Sequence, residues 1–316
     1  ITPVRHTKNS GKVFDYYQRL QPRPYQDVPV RVIDLDDETL SRLGQWPWPR
    51  TLVARLVTRL SDLGVSAIVF DIVFAEPDRT SPGTVVKFWP TGQESEALKS
   101  RARTLQDHEK ILAKAFRSAN VVVGFTVVPE ANDKVPAAKL HFAYSGDSPL
   151  SYVPDYPGAV VNLPILEEAA AGNGSFSFMA ERDGVVRRAP LIVRRGNVLL
   201  PSLALEALRV GQGADSIMVK AVGASGETSY GEHTGIVAVK VGQFVIPTDP
   251  FGRIWVHFAP REPRRTIPAW KILEGDVPKA DLEGAIAFVG TSAMGLMDLR
   301  VTPTDPVAPG VEVHAN

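Results

Sequence analysis

The sequence predicts an α/β fold: a central sheet that contains parallel strands, flanking helices, and an antiparallel β-rich part in the second half. A β-branched strand pattern over Val30–Leu35 is followed by a helical pattern and then by a nearly all-apolar run over Ala67–Phe74. Such a run after a helix is typical of a strand buried on both faces of a parallel sheet. Later in the chain, short strand patterns flank Gly242-Gln243, which indicates antiparallel hairpins.

The composition is that of an ordinary globular protein. The 316 residues include 35 Lys+Arg and 35 Asp+Glu, and there is no cysteine. This charge balance argues against a dedicated nucleic-acid binder, which is usually strongly basic, so no nucleic-acid partner is expected. No run approaches the roughly 18 apolar residues that cross a bilayer. Because the chain opens on Ile1 and stops within Gly310–Asn316, we expect a piece of a longer protein, and the lack of cysteine fits an extracytoplasmic segment.

The first half supplies most of the predicted α/β core. Apolar spacing predicts a helix over 10–22, ended by Pro22 and Pro24; it is either a surface helix or the continuation of a membrane span. The core itself is predicted over 30–128 and 285–291. Its further elements are a helix from about Pro49 to Leu63, a single helix from about Glu94 to Ser118, and strands at Val121–Val128 and Ala285–Gly290.

The second half has a different texture. Residues 129–160 are rich in Pro, Gly, Asp and Ser, which predicts a long irregular loop. The β-rich part is predicted over 174–258. The small basic cluster of Arg187-Arg188 and Arg194-Arg195 around a hairpin of this part is typical of a solvated face. Since no internal repeat is present, we interpret 1–316 as one domain.

Acidic residues follow two of the predicted core strands. Asp34, Asp36 and Asp37 end the first strand, and Asp71 lies in the second. Because ligands of parallel α/β sheets bind at the carboxyl ends of the strands, Asp36 and Asp71 are candidate ligands for Mg²⁺ or Ca²⁺, or an acid/base pair. The alternative is that these carboxylates cap helices, stabilise turns or pair with Arg50. Asp71 is either buried and paired or poised at a site, because an unpaired buried carboxylate is costly.

A second candidate ligand site is the string Trp46-Pro47-Trp48-Pro49-Arg50. Its prolines fix the backbone and hold Trp46, Trp48 and Arg50 in a rigid presentation. Arg50 can grip an anionic ligand through two parallel hydrogen bonds. Alternatively, the string is a rigid start to a helix, and its tryptophans pack on the domain.

Signatures of common catalytic sites are missing from the sequence. It has no Gly-x-Ser-x-Gly elbow, no His-x-x-x-His pair and no Walker or dinucleotide glycine motif. Thr291 and Ser292 follow a strand that ends at Gly290, and their backbone amides are candidate contacts for an anion. We therefore expect no catalytic residue and no cofactor. A divalent cation is the one exception, because the acidic residues could bind one.

Taken together, the motifs resemble those of a known family, the type-2 CHASE domain. That family is the extracytoplasmic sensor module of bacterial adenylate/guanylate cyclases, histidine kinases and some Ser/Thr kinases. The resemblance covers nearly the whole chain, and the combination of strings is specific although no single string is. The strings, in chain order, are Val32–Leu40, Gly44–Arg50, Ala67–Pro77, Asp183–Arg188 with Pro190, Pro201–Leu205, Phe288–Ser292, Asp298, Thr302-Pro303 and Gly310–Asn316.

The resemblance implies the periplasmic sensor of an inner-membrane receptor, with membrane helices before Ile1 and after Asn316. Its stimulus would be a small molecule, an ion or a periplasmic protein, and the signal would leave through the helix at 10–22 and the stretch 310–316. A cytoplasmic adenylate or guanylate cyclase that makes a cyclic nucleotide such as cAMP is the expected output, with a histidine kinase as the other possibility. A homodimer is expected, since such cyclases and kinases work as dimers.

Two other functions stay open on the residues alone. The first is a metal-dependent α/β hydrolase or phosphatase-like enzyme that uses Asp36 and Asp71. The second is a protein-interaction module, which predicts a large exposed apolar patch and no enclosed polar pocket.

Overall fold

The computed structural model of the chain describes residues 10–224, 235–296 and 298–316. Within these ranges the α-helices are α1 (Ser10–Leu20), α2 (Asp37–Leu43), α3 (Arg50–Asp62), α4 (Pro82–Val85), α5 (Gln93–Ala102), α6 (His108–Arg117), α7 (Pro164–Ala169), α8 (Leu203–Gly211), α9 (Ala269–Glu274) and α10 (Gly310–Ala315). The strands are β1 (Val30–Asp34), β2 (Ala67–Phe70), β3 (Val121–Val128), β4 (His141–Ser145), β5 (Gly158–Val160), β6 (Gly172–Ser175), β7 (Arg188–Pro190), β8 (Ile192–Arg195), β9 (Val198–Pro201), β10 (Ser216–Ala221), β11 (Ile236–Val241), β12 (Phe244–Pro247), β13 (Arg253–Trp255), β14 (Thr266–Pro268), β15 (Ile286–Gly290), β16 (Leu299–Arg300) and β17 (Ala308–Pro309).

A mainly parallel sheet forms the centre of the structure, and the predicted α/β class is confirmed. Its strand order is β14-β1-β15-β2-β3, with β6 parallel to the first part of β3 and β5 antiparallel to its last part. β1 and β2 are parallel, as predicted, but they are not neighbours, because β15 pairs with both. A strand from late in the chain therefore ends between the two strands that carry the acidic residues.

Helices cover both faces of this sheet. On one face α3 presents Leu56, Val57 and Leu60 to Ile33 and Phe70, and α6 and α9 extend the same core. Each such side chain contributes about 1.5–3 kcal/mol by leaving water. The apolar stripe predicted for the helix at 49–63 is therefore the stripe that packs on the sheet.

The other face is covered by α8 and α10. Leu203 and Ala207 of α8 pack on the sheet with Val311 of α10. α10 lies very close to the end of β15, since a Cβ added to Gly290 would lie 2.5 Å from the Cβ of Val311. Glycine at position 290 is therefore what allows the last helix to rest on the sheet.

The second half forms a separate small sheet with the order β12-β11-β10-β4. β10, β11 and β12 are antiparallel, and their inward side chains pack against Leu205 of α8. The hairpin of β11 and β12 around Gly242-Gln243 was predicted, whereas β10 was not. β4 comes from the stretch 129–160 that was predicted to be an irregular loop, and β5 comes from its end. β4 is an edge strand whose side chains are mostly exposed, so it lacks the alternation by which strands are recognised.

Three predicted elements have different bounds in the structure. The single helix from 94 to 118 is wrong: α5 ends at Ala102, and α6 begins after Asp107, whose carboxylate accepts the Glu109 N–H at 2.9 Å. This is a helix N-cap, which starts a new helix. The first helix ends at Leu20, before Pro22, and β2 ends at Phe70.

Replacing Gly290 tests how tightly α10 packs on the sheet. Gly290→Ala places a methyl group inside the contact distance of Val311, and such overpacking costs about 1–3 kcal/mol. We expect a lower free energy of unfolding in urea. Gly83→Ala is the matched control, because a Cβ at that position meets nothing within 4 Å. Equal midpoints for Gly290→Ala and the wild-type protein would contradict this packing.

Candidate functional site: the carboxyl edge of the sheet and the cavity beneath α10

Asp34, at the end of β1, is bonded to the loop that follows β15. Its carboxylate accepts the backbone N–H of Ser292 at 2.8 Å and the Ser292 hydroxyl at 2.6 Å. The Thr291 hydroxyl donates to the carbonyl of Leu35 at 2.9 Å. Burial raises the pKa of Asp34, whereas the bonds from Ser292 lower it. Thr291 and Ser292, which were predicted to contact a ligand, therefore join the ends of two strands.

The other acidic residues after β1 belong to α2. Asp36 caps this helix, accepting the Thr39 N–H at 2.8 Å, and Asp37 is exposed in its first turn. A cap of this kind contributes about 1 kcal/mol. Asp36 thus serves α2 while Asp71 follows β2, and β15 separates the two strands. In the ranges that the structure describes, no group of three or more His, Asp or Glu side chains is placed to hold a metal ion.

The Trp46–Arg50 string turns inward. Trp48 is 2% exposed and donates its indole N–H to the carbonyl of Gly44, and Trp46 packs on it at 5.9 Å between ring centroids. Arg50 is buried as well: its Nη2 donates to the Glu76 carbonyl at 3.0 Å, and its guanidinium lies 4.7 Å from the Phe74 ring. These groups are engaged in holding the start of α3.

Asp71 lies at the end of β2 and faces a residue of α10, His314. The Asp71 Oδ1 to His314 Nε2 distance is 3.7 Å, and the two side chains are 4% and 5% exposed. That distance is too long for a hydrogen bond. Among the described residues, neither Oδ2 of Asp71 nor Nε2 of His314 has a hydrogen-bond partner. Phe178 stacks on the imidazole at 4.2 Å between centroids.

Burial disfavours the charged form of both members of this pair. It raises the pKa of Asp71 well above the ordinary value, and the negative charge of Asp298 raises it further. Burial also lowers the pKa of His314 to about 3, and the positive charge of Arg300 lowers it as well. Burial therefore favours the protonated form of Asp71 and the neutral form of His314, since a buried charge is costly.

His314 was not predicted as a site residue, although it belongs to the Gly310–Asn316 string of the resemblance. One feature of the sequence could have indicated its burial. Val311, His314 and Ala315 are spaced three and four residues apart, which places them on one face of α10. Both Val311 and Ala315 pack toward the sheet. A histidine on that face is buried with them.

A cavity of about 390 Å³ opens beneath α10 and is bordered by His314. Its volume falls in the range of small-molecule sites. Its lining within the described residues contains no Asp or Glu, and Arg23 and Asn316 also border it. Most of its walls are apolar, as represented by Phe178, Leu208, Ile254, Val256 and Val313.

The segment after α1 is bonded to the last turn of α10 beside this cavity. Arg23 Nη2 donates to the backbone oxygen of Asn316 at 2.7 Å and to its side-chain Oδ1 at 2.8 Å. Gln18 of α1 donates to the carbonyl of Val256 at 2.6 Å and accepts the N–H of Phe258 at 3.0 Å. One wall of the cavity is therefore held by residues from both ends of the described chain.

α1 is also fixed by a buried ion pair. Arg187 is 1% exposed and binds Asp15 through two bonds of 2.7 Å, together with Glu181 and Asp183. These bonds hold the pKa of Asp183 at about 2. The solvated basic face predicted for Arg187-Arg188 is thus wrong for Arg187, which anchors the first helix to the β-rich part.

Acidification tests the buried His314. Because its pKa in the folded protein is about 3 against 6.5 for the free side chain, its stabilisation is complete above pH 6.5 and is lost as the pH falls toward 3. From pH 7 to pH 5 this amounts to about 2 kcal/mol of unfolding free energy. We expect His314→Asn to lose that part of the pH dependence in urea titrations, and His141→Asn, at an exposed histidine, to keep it. An unchanged slope in His314→Asn would contradict the burial of a neutral imidazole.

Comparison with known proteins identifies the family. A family model described as the CHASE2 domain matches residues 4–316. Neither a curated protein nor a solved structure matches the chain significantly. In the described part of the chain, no helix combines the length and the apolarity needed to cross a membrane. The chain belongs to the CHASE2 family, the type-2 CHASE sensory domain found in cyclases and kinases, which is an extracellular sensory domain of signalling receptors.

Proposed function

We propose that this domain binds a small, largely apolar molecule in the cavity beneath α10 and passes its occupancy to a cytoplasmic output. One observation carries the proposal: Arg23, after the first helix, and Asn316, after the last one, bond to each other and both border the cavity. A ligand in this cavity would contact both segments through which a sensor of this family is expected to signal.

The chemistry of the cavity favours an uncharged or weakly polar ligand. Its walls are mostly apolar, and burial disfavours the charged forms of the nearby Asp71 and His314. A ligand changes the conformation only by binding one conformation better than another. The Arg23–Asn316 bonds give such a difference a physical basis, because moving α10 away from the cavity breaks them.

Family membership supports the wider setting of this proposal. We infer a periplasmic location within an inner-membrane receptor, flanking membrane helices, and an adenylate or guanylate cyclase as output, with a histidine kinase as the alternative. A homodimer also belongs to this proposal. Exposed apolar side chains at helical spacing on α1 support it, because a second helix can cover Val13, Tyr16, Tyr17 and Leu20.

Filling the cavity tests where the ligand binds. Ala204 borders the cavity, so Ala204→Phe should abolish binding of uncharged aromatic or aliphatic molecules that the wild-type domain retains in ligand-observed NMR. Ala97→Phe is the control, because Ala97 lies on α5 and is exposed. Binding that survives Ala204→Phe, or wild-type protein that retains none of these molecules, would contradict the assignment of this cavity.

Breaking the Arg23–Asn316 link tests the signalling part separately. In the full-length receptor, Arg23→Gln should leave binding of a retained molecule within about twofold, because most of the cavity wall is formed by apolar side chains of other residues. It should reduce the change in cyclic-nucleotide output, or in autophosphorylation, that the molecule causes. Arg59→Gln, at an exposed arginine on α3, is the control. An unaltered response in Arg23→Gln would rule out this route between the cavity and the output.

A further inference from the structure

A second cleft lies on the other side of the last turn of α10. Its volume is about 320 Å³, and it is bordered by α1, by the segment after β13, by the loop before β17 and by α10. Val313 and Asn316 border this cleft and the apolar cavity alike. The two sites are therefore neighbours separated by the end of one helix.

The charged residues of this cleft are mostly arginines. Arg19, Arg261 and Arg265 border it, together with the carboxylates of Asp305 and Glu312. Arg265 is 3% exposed and pairs with Glu312 at 2.5 Å. The other Glu312 oxygen accepts the Thr266 hydroxyl at 2.9 Å, so the charge of Glu312 is already compensated.

The remaining guanidinium groups have no such partner. Within the described ranges Arg261 is exposed and makes neither an ion pair nor a side-chain hydrogen bond, and Arg19 donates only to the carbonyl of Asp15 in its own helix, at 3.3 Å. The Nε of Arg265 is buried and also lacks a partner there. Asp305 offsets part of this charge, but its Oδ1 is held by the N–H of Val307 at 2.8 Å.

A neighbouring arginine adds to the positive charge of this region. Among the described residues, the Arg23 guanidinium binds only oxygens of His257 and Asn316, none of them a side-chain carboxylate. Burial lowers its pKa, and the positive charge of Arg265 lowers it further. The arginines in and beside the cleft therefore outnumber Asp305 and Glu312, the carboxylates that border it among the described residues; the charge of Arg261 also acts on Asp34.

We propose that this cleft binds a small organic anion, a carboxylate or a phosphate ester. Its charged group bonds to Arg261 and Arg19, since a guanidinium matches either anion through parallel hydrogen bonds. Its apolar part rests on Phe258 and Ala259, which also border the cleft. This site goes beyond the proposed sensor site, because it lies in a different cleft and binds an anion instead of an uncharged molecule.

The test uses three probes of similar size: benzoate, phenyl phosphate and uncharged benzamide. Titration of the 316-residue chain followed by NMR should give saturable binding of at least one of the two anions and at least about tenfold weaker binding of benzamide. A preference between the anions distinguishes a carboxylate ligand from a phosphate ester. Raising the salt concentration should weaken the binding of the anion, because exposed charges are screened.

Two substitutions locate the bound anion. Arg261→Gln should weaken it about tenfold, while Arg59→Gln, at an exposed arginine that does not border the cleft, should leave its Kd unchanged. Ala204→Phe, which fills the apolar cavity, should also leave it unchanged. Binding abolished by Ala204→Phe but not by Arg261→Gln would place the anion in the apolar cavity, and so would overturn this proposal while leaving the sensor proposal standing. Equal affinity for benzamide, or no binding of either anion, would overturn it as well.

Discussion

The close packing of α10 on the carboxyl edge of the parallel sheet is the contact on which the candidate sites depend. Gly290 has no side chain where β15 ends, so Val311 can lie directly on the backbone of the strand. At that depth, His314 reaches Asp71 and the stacked ring of Phe178. The same position of the helix leaves one cavity beneath it and a second cleft beside its last turn.

Electrostatics then divides this region into two parts of different character. On the sheet side, burial favours the uncharged forms of Asp71 and His314, which lie beside apolar walls. On the outer side, Arg261 is exposed to water, and the buried Arg265 is paired with Glu312. The charges differ because a buried ion must be paired or neutralised, whereas an exposed one is solvated. One short helix therefore borders an apolar site and a cationic one.

Much of the fold could be predicted from local sequence pattern, but the site depends on pairings that local pattern does not contain. Strand β12 (Phe244–Pro247) directly follows the turn predicted at Gly242-Gln243, because this turn and the apolar residues beside it are adjacent in the chain. The insertion of β15 between β1 and β2 is set by long-range strand pairing. It separates the strands that carry Asp36 and Asp71, which were predicted from the sequence to share one candidate site. Likewise, the buried position of Arg187 depends on Asp15, which lies 172 residues away. The position of His314 in the site could not be predicted either, because an isolated histidine belongs to no motif and its burial depends on the packing of α10.

Hydrogen bonds join the two ends of the described chain, so the proposed coupling of ligand binding to these two segments needs no intervening residues. Arg23 holds the backbone and the side chain of Asn316, and the Asn316 side chain also accepts the N–H of Ala259 at 3.1 Å, in the segment after β13. α1 cannot follow a displaced α10 freely, because the buried Asp15–Arg187 pair fixes it to the β-rich part. Breaking such a pair by removing one partner costs several kcal/mol. A movement of α10 is therefore expected to break the weaker Arg23–Asn316 contacts first. A ligand beneath or beside α10 would then change the position of α10 relative to the segment after α1.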